Sequence, residues 1–180
     1  MNLILFGYKD CGKTTIGKML ALRMNRPFFD TDQMVEQLHQ KLTGEELPTR
    51  QIVKKIGEPA FRRLESDVIQ ELKGIHNAII ALGGGLILNP NNAAFLAKLG
   101  QLVYLKVSKE TLKRRTLGKE LPSFLNPEDP EGSFEQYYRE RQAKYEAILA
   151  IPVDLEAKTQ DQVILELSAL ILQLESSHVK

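Results

Sequence analysis

The stretch Gly7-Tyr8-Lys9-Asp10-Cys11-Gly12-Lys13-Thr14 constrains this chain more than any other. A short apolar run, Leu3 to Phe6, precedes it and reads as a buried strand. An amphipathic helix follows, with Ile16, Met19, Leu20 and Arg23 at helical spacing. The pattern G-x-x-x-x-G-K-[ST] has chemical meaning in that setting of strand, glycine turn and helix. Glycines let backbone N–H groups curl round phosphate oxygens, and the helix N-terminus adds its positive dipole end. The expected nucleotide-binding set runs from Gly7 through Thr14 to Thr15. Lys13 reaches the β- and γ-phosphates, and Thr14 places its hydroxyl on Mg²⁺.

With 180 residues, the chain suits one domain, expected to span 1–180, with a sizeable core. A net charge of +1 argues against a general nucleic-acid surface. No apolar run approaches transmembrane length, and the chain enters a strand at once, without the pattern of a signal peptide. Cys11 is the single cysteine, which excludes an internal disulfide and a cysteine metal cluster. His39, His76 and His178 lack ligand spacing. A cytoplasmic enzyme without nucleic-acid or membrane partners is the expected setting.

Strands and helices alternate along the chain, the pattern of a parallel sheet covered on both faces. Phe28-Phe29 begins a second strand that ends at Asp30-Thr31-Asp32, with Asp32 able to cap the following helix. Thr49 is expected to cap a helix through Ile56. Pro59 opens another helix that Gly74 ends, and Ala78–Leu82 reads as a central strand. Asn89-Pro90 opens a further helix, and Leu102–Val107 is a strand. Ser108 caps a helix ending near Arg115. Residues 116–132 show no period and hold three prolines, which marks a functional or mobile loop. Ser133 is expected to cap the next helix. Pro152–Leu155 is a last strand, and Thr159-Gln160-Asp161-Gln162 is a capping box for the terminal helix, which frays over 176–180.

In an open parallel sheet the ligand site lies beyond the carboxyl ends of the strands. The phosphate loop, Asp30-Thr31-Asp32, Gly83-Gly84-Gly85 and the segment after Val107 all fall there. Of Asp30 and Asp32, one carboxylate can hold a metal hydration shell and the other can act as base for a substrate hydroxyl. The triple glycine gives backbone amides open access to a ligand. Arg62 and Glu65 are helical neighbours, as are Arg141 and Tyr145. Spacing leaves open whether they orient an anion-binding arginine or form a surface pair.

These residues together resemble the shikimate kinase family over nearly the full length. The resemblance rests on the phosphate loop through Lys13-Thr14, on Phe28-Phe29-Asp30-Thr31-Asp32, on Phe61-Arg62-Arg63-Leu64-Glu65, on Leu82-Gly83-Gly84-Gly85 and on Arg141-Gln142-Ala143-Lys144-Tyr145. It implies an α/β fold of the P-loop NTPase, nucleoside-monophosphate-kinase-like type. That is three α/β/α layers, a five-stranded parallel sheet and a helical lid insertion. A shikimate-binding region falls at about 32–62 and the lid at about 116–132. The implied reaction moves the γ-phosphoryl group of ATP, with Mg²⁺, to the 3-hydroxyl of shikimate, giving shikimate 3-phosphate and ADP. A monomer carries it out. Among site residues, the resemblance implies Asp30 for magnesium through water and Asp32 for the shikimate hydroxyls and the proton. Arg62 and Arg141 grip the carboxylate, Gly83, Gly84 and Gly85 wall the pocket, and Arg115 stacks on adenine. The loop after Asp154 covers the other adenine face.

The chain departs from the family twice. Asp10 stands where a third loop glycine is usual, and an aspartate tolerates positive φ better than most residues. Pro122, in Leu121-Pro122-Ser123-Phe124-Leu125, stands where the lid arginine is expected. Lys119 is then the expected catalytic cation of the lid, with Arg114 and Arg139 as alternatives. A related sugar-acid kinase such as gluconate kinase, a catalytically weakened nucleotide-binding relative and a nucleotide switch are the competing readings. Asp129-Pro130-Glu131-Gly132 matches D-x-x-G, but it does not follow a strand, and no Asn-Lys-x-Asp exists.

Overall fold

The computed structural model describes residues 1–122 and 124–177. The tail at 178–180, including His178, and Ser123 lie outside them.

Five parallel strands form one sheet: β1 (Asn2–Phe6), β2 (Phe28–Asp30), β3 (Ile79–Ala81), β4 (Gly100–Lys106) and β5 (Ile151–Asp154). Their order is β2-β3-β1-β4-β5. Every residue of β1 and β3 is buried, as a strand covered on both faces requires. β5 lies at an edge and carries an exposed Pro152, whose missing N–H would interrupt an inner ladder. Among the described residues, eight α-helices surround the sheet in a three-layer arrangement: α1 (Lys13–Met24), α2 (Thr31–Thr43), α3 (Thr49–Ile56), α4 (Glu58–Glu71), α5 (Pro90–Leu99), α6 (Lys109–Leu117), α7 (Pro130–Glu146) and α8 (Gln160–Ser177).

β1 is flanked by β3 on one side and β4 on the other, so connections diverge at its carboxyl end. Such a divergence opens a crevice for ligand. Asp30 registers with Ala81, two residues before the triple glycine.

The apolar residues form two clusters. The larger one surrounds the sheet. The smaller, Val35, Ile52, Phe61 and Val68, joins α2, α3 and α4 into a lobe beside it. Gly57, at φ 79°, makes the bend between α3 and α4 that lets one lobe hold both.

Several boundaries differ from expectation. α2 begins at Thr31 because the Asp30 carboxylate accepts from the Asp32 amide, so Asp30 is the cap and Asp32 sits in the first helical turn. Thr49 is inside α3, whose cap position is Pro48 and has no side-chain hydrogen bond. α7 starts at Pro130, three residues before Ser133, because Asp129 accepts from the Gly132 amide. The D-x-x-G stretch is therefore a helix start. Among the described residues, the irregular part of the lid shrinks to 118–122 and 124–129. A 3₁₀ turn, Leu86–Leu88, follows the triple glycine and was not legible in the pattern. The Ser108 cap and the Thr159–Gln162 capping box form as expected.

Candidate active site

A cleft of about 1170 Å³ opens at the carboxyl ends of the strands. Nine cationic and six acidic side chains line it. This positive excess, in a chain of net charge +1, suits an anionic ligand.

One wall is the phosphate loop between β1 and α1. Gly7 at φ 148° and Gly12 at φ 110° turn the chain there. Asp10 adopts φ 67°, as expected of an aspartate in a glycine position. α1 has no side-chain cap, so its first N–H groups are left for an anion. Lys13 is buried and folds back, donating to the Gly7 carbonyl at 3.1 Å and to that of Tyr8 at 2.7 Å. Lys9, Asp10, Gly12, Thr14 and Thr15 line the cleft. Tyr8 does so with neither ring nor hydroxyl. Its ring is buried against Tyr138 and Tyr145, and its hydroxyl donates to the Tyr138 carbonyl at 2.9 Å. Cys11 is buried too, its sulfur 3.8 Å from Lys13 Nζ.

Thr14 Oγ1 donates to Asp30 Oδ2 at 2.7 Å. These two hard oxygen donors from α1 and β2 meet at the mouth of the loop. Among the described residues no group of three or more His, Cys, Asp and Glu gathers elsewhere. A divalent cation fits this pair only if phosphate oxygens and water complete its shell, which is the habit of Mg²⁺.

The facing wall converges on the triple glycine, where the nearest side chains at Gly83, Gly84 and Gly85 come from α2, α7 and α4 in turn. Asp32 of α2 lies where a Cβ on Gly83 would stand, and the Gly83 amide donates to Thr31 Oγ1 at 2.8 Å. The Gly84 carbonyl accepts from Arg141 at 3.3 Å and from the Tyr145 hydroxyl. A Cβ on Gly85 would come within 2.9 Å of Arg62 Cζ. None of the three has a positive φ. At Gly83 and Gly85 glycine therefore serves for space rather than for a positive φ, whereas a Cβ on Gly84 would make only ordinary contact, with Lys9 N at 3.4 Å.

Arg62 donates to Glu65 at 2.6 Å and to Glu58 at 2.8 Å. Glu65 is buried, which settles the question left open by spacing: the pair belongs to the cleft wall and not to the surface. Burial pushes the Glu65 carboxyl above the ordinary range, against the pull of Arg62. Burial and the neighbouring Asp30 raise the Asp32 carboxyl, against Lys13 and Lys9. Arg141 lies 4.4 Å over the Tyr137 ring, and among the described residues it forms no ion pair.

The lid crosses between the walls. Lys119 pairs with Asp10, and Glu120 with Arg50 of α3. Phe124 stacks on Tyr137 at 4.2 Å. Pro122 is buried, so an arginine could not replace it without repacking. Arg114 and Arg115 line the cleft, and Arg115 reaches the Cys11 carbonyl at 3.4 Å. Arg139 is exposed and absent from the cleft lining. Glu156, in the loop after Asp154, accepts from the Ser108 amide at 2.8 Å and ties that loop to the start of α6.

Sequence reasoning missed Tyr137, Phe124, Thr31, Arg50 and Glu120. Tyr137 was findable, because it stands one helical turn before Arg141. Arg50 and Glu120 carried no signal, since their meeting depends on how the lid folds.

A profile of the family described as Shikimate kinase matches residues 9–171. A shikimate kinase of Thioalkalivibrio sulfidiphilus is 36% identical over 167 residues, covering 93% of this chain and 85% of the relative. The solved shikimate kinase of Acinetobacter baumannii in complex with shikimate superposes with a TM-score of 0.82 at 29% identity, covering 96% and 93% of the two chains. A gluconokinase of Sinorhizobium meliloti has a TM-score of 0.63 at 16% identity, with 99% and 95% covered, and shares the fold alone.

Proposed function

The chain belongs to the shikimate kinase family, and from that premise we propose how its own residues divide the reaction. The activity is transfer of the ATP γ-phosphoryl group to the 3-hydroxyl of shikimate. The carrying observation is the triple glycine, which brings Asp32, Arg62 and Arg141 together opposite the phosphate loop.

Shikimate sits against Gly83, Gly84 and Gly85. Arg62 and Arg141 hold its carboxylate, each with N–H donors to spare after the contacts above. Glu58 and Glu65 fix the Arg62 plane before substrate arrives, which lowers the ordering cost of binding. Asp32 accepts a hydrogen bond from the reacting hydroxyl and takes its proton. A raised carboxyl pKa makes it a stronger base than an ordinary aspartate, provided it is ionised.

On the other side, Lys13 exchanges the Gly7 and Tyr8 carbonyls for the β- and γ-phosphate oxygens. The α1 amides from Gly12 to Thr15 bind the same phosphates, and Arg115 with the loop after Asp154 encloses the adenine. Thr14 directly, and Asp30 through water, would hold the Mg²⁺ that accompanies ATP, and the ion would neutralise charge on the phosphate oxygens. Lys119 provides the lid cation for the transferring group. The cytoplasm is the proposed setting, with a monomer whose single domain spans 1–180 as the proposed working unit.

A coupled ADP-release assay with shikimate, gluconate and no acceptor tests this. Release with shikimate alone is expected. Equal release with gluconate, or release independent of acceptor, would contradict the assignment of the acceptor wall.

A further inference from the structure

Lys119 and Glu120 are consecutive, oppositely charged and attached to opposite walls. Lys119 pairs with Asp10 of the phosphate loop, and Glu120 with Arg50. The Asp10 carboxylate also accepts from Thr116 at 3.3 Å, so the last turn of α6 steadies it. Arg50 stands in the first turn of α3, and α3 belongs to the lobe built on Val35, Ile52, Phe61 and Val68. The dipeptide thus links two bodies with separate apolar clusters. One carries the phosphate loop. The other carries Asp32 and Arg62.

We propose that Lys119-Glu120 is a two-ended clasp that couples the nucleotide and acceptor sites. Arg50 and Glu120 are its positioning residues, and they set Lys119 at the phosphate loop when the acceptor lobe is in place. The inference rests on the reading above, in which Lys119 serves the γ-phosphoryl group. Acceptor contacts at Asp32 and Arg62 order α2 and α4, which share their core with α3. Ordering α3 fixes Arg50, and through Glu120 it narrows the positions open to Lys119. Phosphate then takes Lys119 over from Asp10, a carboxylate that had kept the ammonium within reach. Glu120 is 84% exposed, and an exposed pair biases an equilibrium by no more than about five-fold. The clasp is therefore a bias on lid position, sensitive to salt, and does not hold the lid shut.

The test is binding of a non-hydrolysable ATP analogue with Mg²⁺, without and with saturating shikimate. It compares the wild type, Glu120→Arg, Arg50→Glu and the double swap. In the wild type shikimate tightens the analogue by about five-fold, and by reciprocity the analogue tightens shikimate equally. Each single reversal brings the factor to about one, and the swap restores it. A wild type without tightening, single variants that keep it, or a swap that fails to restore it would overturn the clasp. Turnover of the wild type reports separately on the underlying reading: phosphorylation of shikimate with an unmoved factor sinks the clasp alone, whereas no phosphorylation sinks the reading beneath it.

Discussion

Along the nucleotide wall the proposed binding groups are main-chain amides in one unbroken loop, helped by Lys13, and turning is done by glycines at positive φ. Along the acceptor wall the groups are side chains from α2, α4 and α7, brought together by three glycines, none of them at positive φ. A loop of amides recognises any polyphosphate, since every residue offers the same donor. A constellation of side chains recognises one acceptor, since each member can be changed alone. The first wall therefore accounts for membership of a large structural class, and the second for the choice of substrate within it.

The sharpest break in this comparison is Asp32→Asn. It removes the base of the acceptor wall and nothing from the loop. Turnover should fall by about 10²–10⁴-fold while ATP affinity persists, as single-turnover rates and nucleotide titration would report. A matching loss of ATP affinity would show that the two walls are not separable.

Lys119→Ala comes next, because the lid serves the transition state more than either ground state. An arginine in such a role contributes about 10³-fold or more. A lysine lacks the fork and is half exposed here, so kcat should fall by about 10²-fold with little change in the shikimate KM. An unmoved kcat would shift the role to Arg114, another cation of the cleft lining.

Arg62→Lys keeps the charge and loses the fork. The KM for shikimate should rise by about ten-fold, and the preference for shikimate over its carboxamide should shrink. Equal use of acid and amide by the wild type would remove the carboxylate clamp from the account.

The smallest effect is on the pH profile. Burial holds the Asp32 proton to higher pH than an ordinary aspartate, and the neighbouring Asp30 adds to this. The base works only when ionised, so kcat/KM should fall as pH drops through that raised value. A profile flat down to about pH 4, the ordinary aspartate value, would mean that Asp32 does not govern the step.

The two walls also differ in how far they could be read from the chain. The phosphate loop is contiguous, so strand, turn and helix announce it together, down to the positive φ of Asp10. Asp32, Arg62, the glycines and Arg141 could be singled out, but their meeting point could not. Spacing left Arg62 undecided because the burial of Glu65 arises only when α4 packs beside the sheet. The start of α2 was misplaced by two residues because Asp30 both ends a strand and caps a helix, and periodicity cannot assign a residue to two elements. The start of α7 was hidden inside the lid, where Ser133 offered a plausible cap and Asp129 made the actual one. The Tyr8 ring reads in sequence as part of the loop. Its partners Tyr138 and Tyr145 lie more than a hundred residues away, so its turn into the core was not readable.

The central claim is that Gly83 and Gly85 are kept for the space that the proposed acceptor-binding side chains Asp32 and Arg62 occupy. Gly85→Ala tests it most directly. The added methyl must displace the Arg62 guanidinium, while the phosphate loop, Lys13 and Thr14 are untouched. Steady-state kinetics should show the shikimate KM raised by about ten-fold or more, with the ATP KM unchanged. An unchanged shikimate KM, or an equal rise for ATP, would contradict the account.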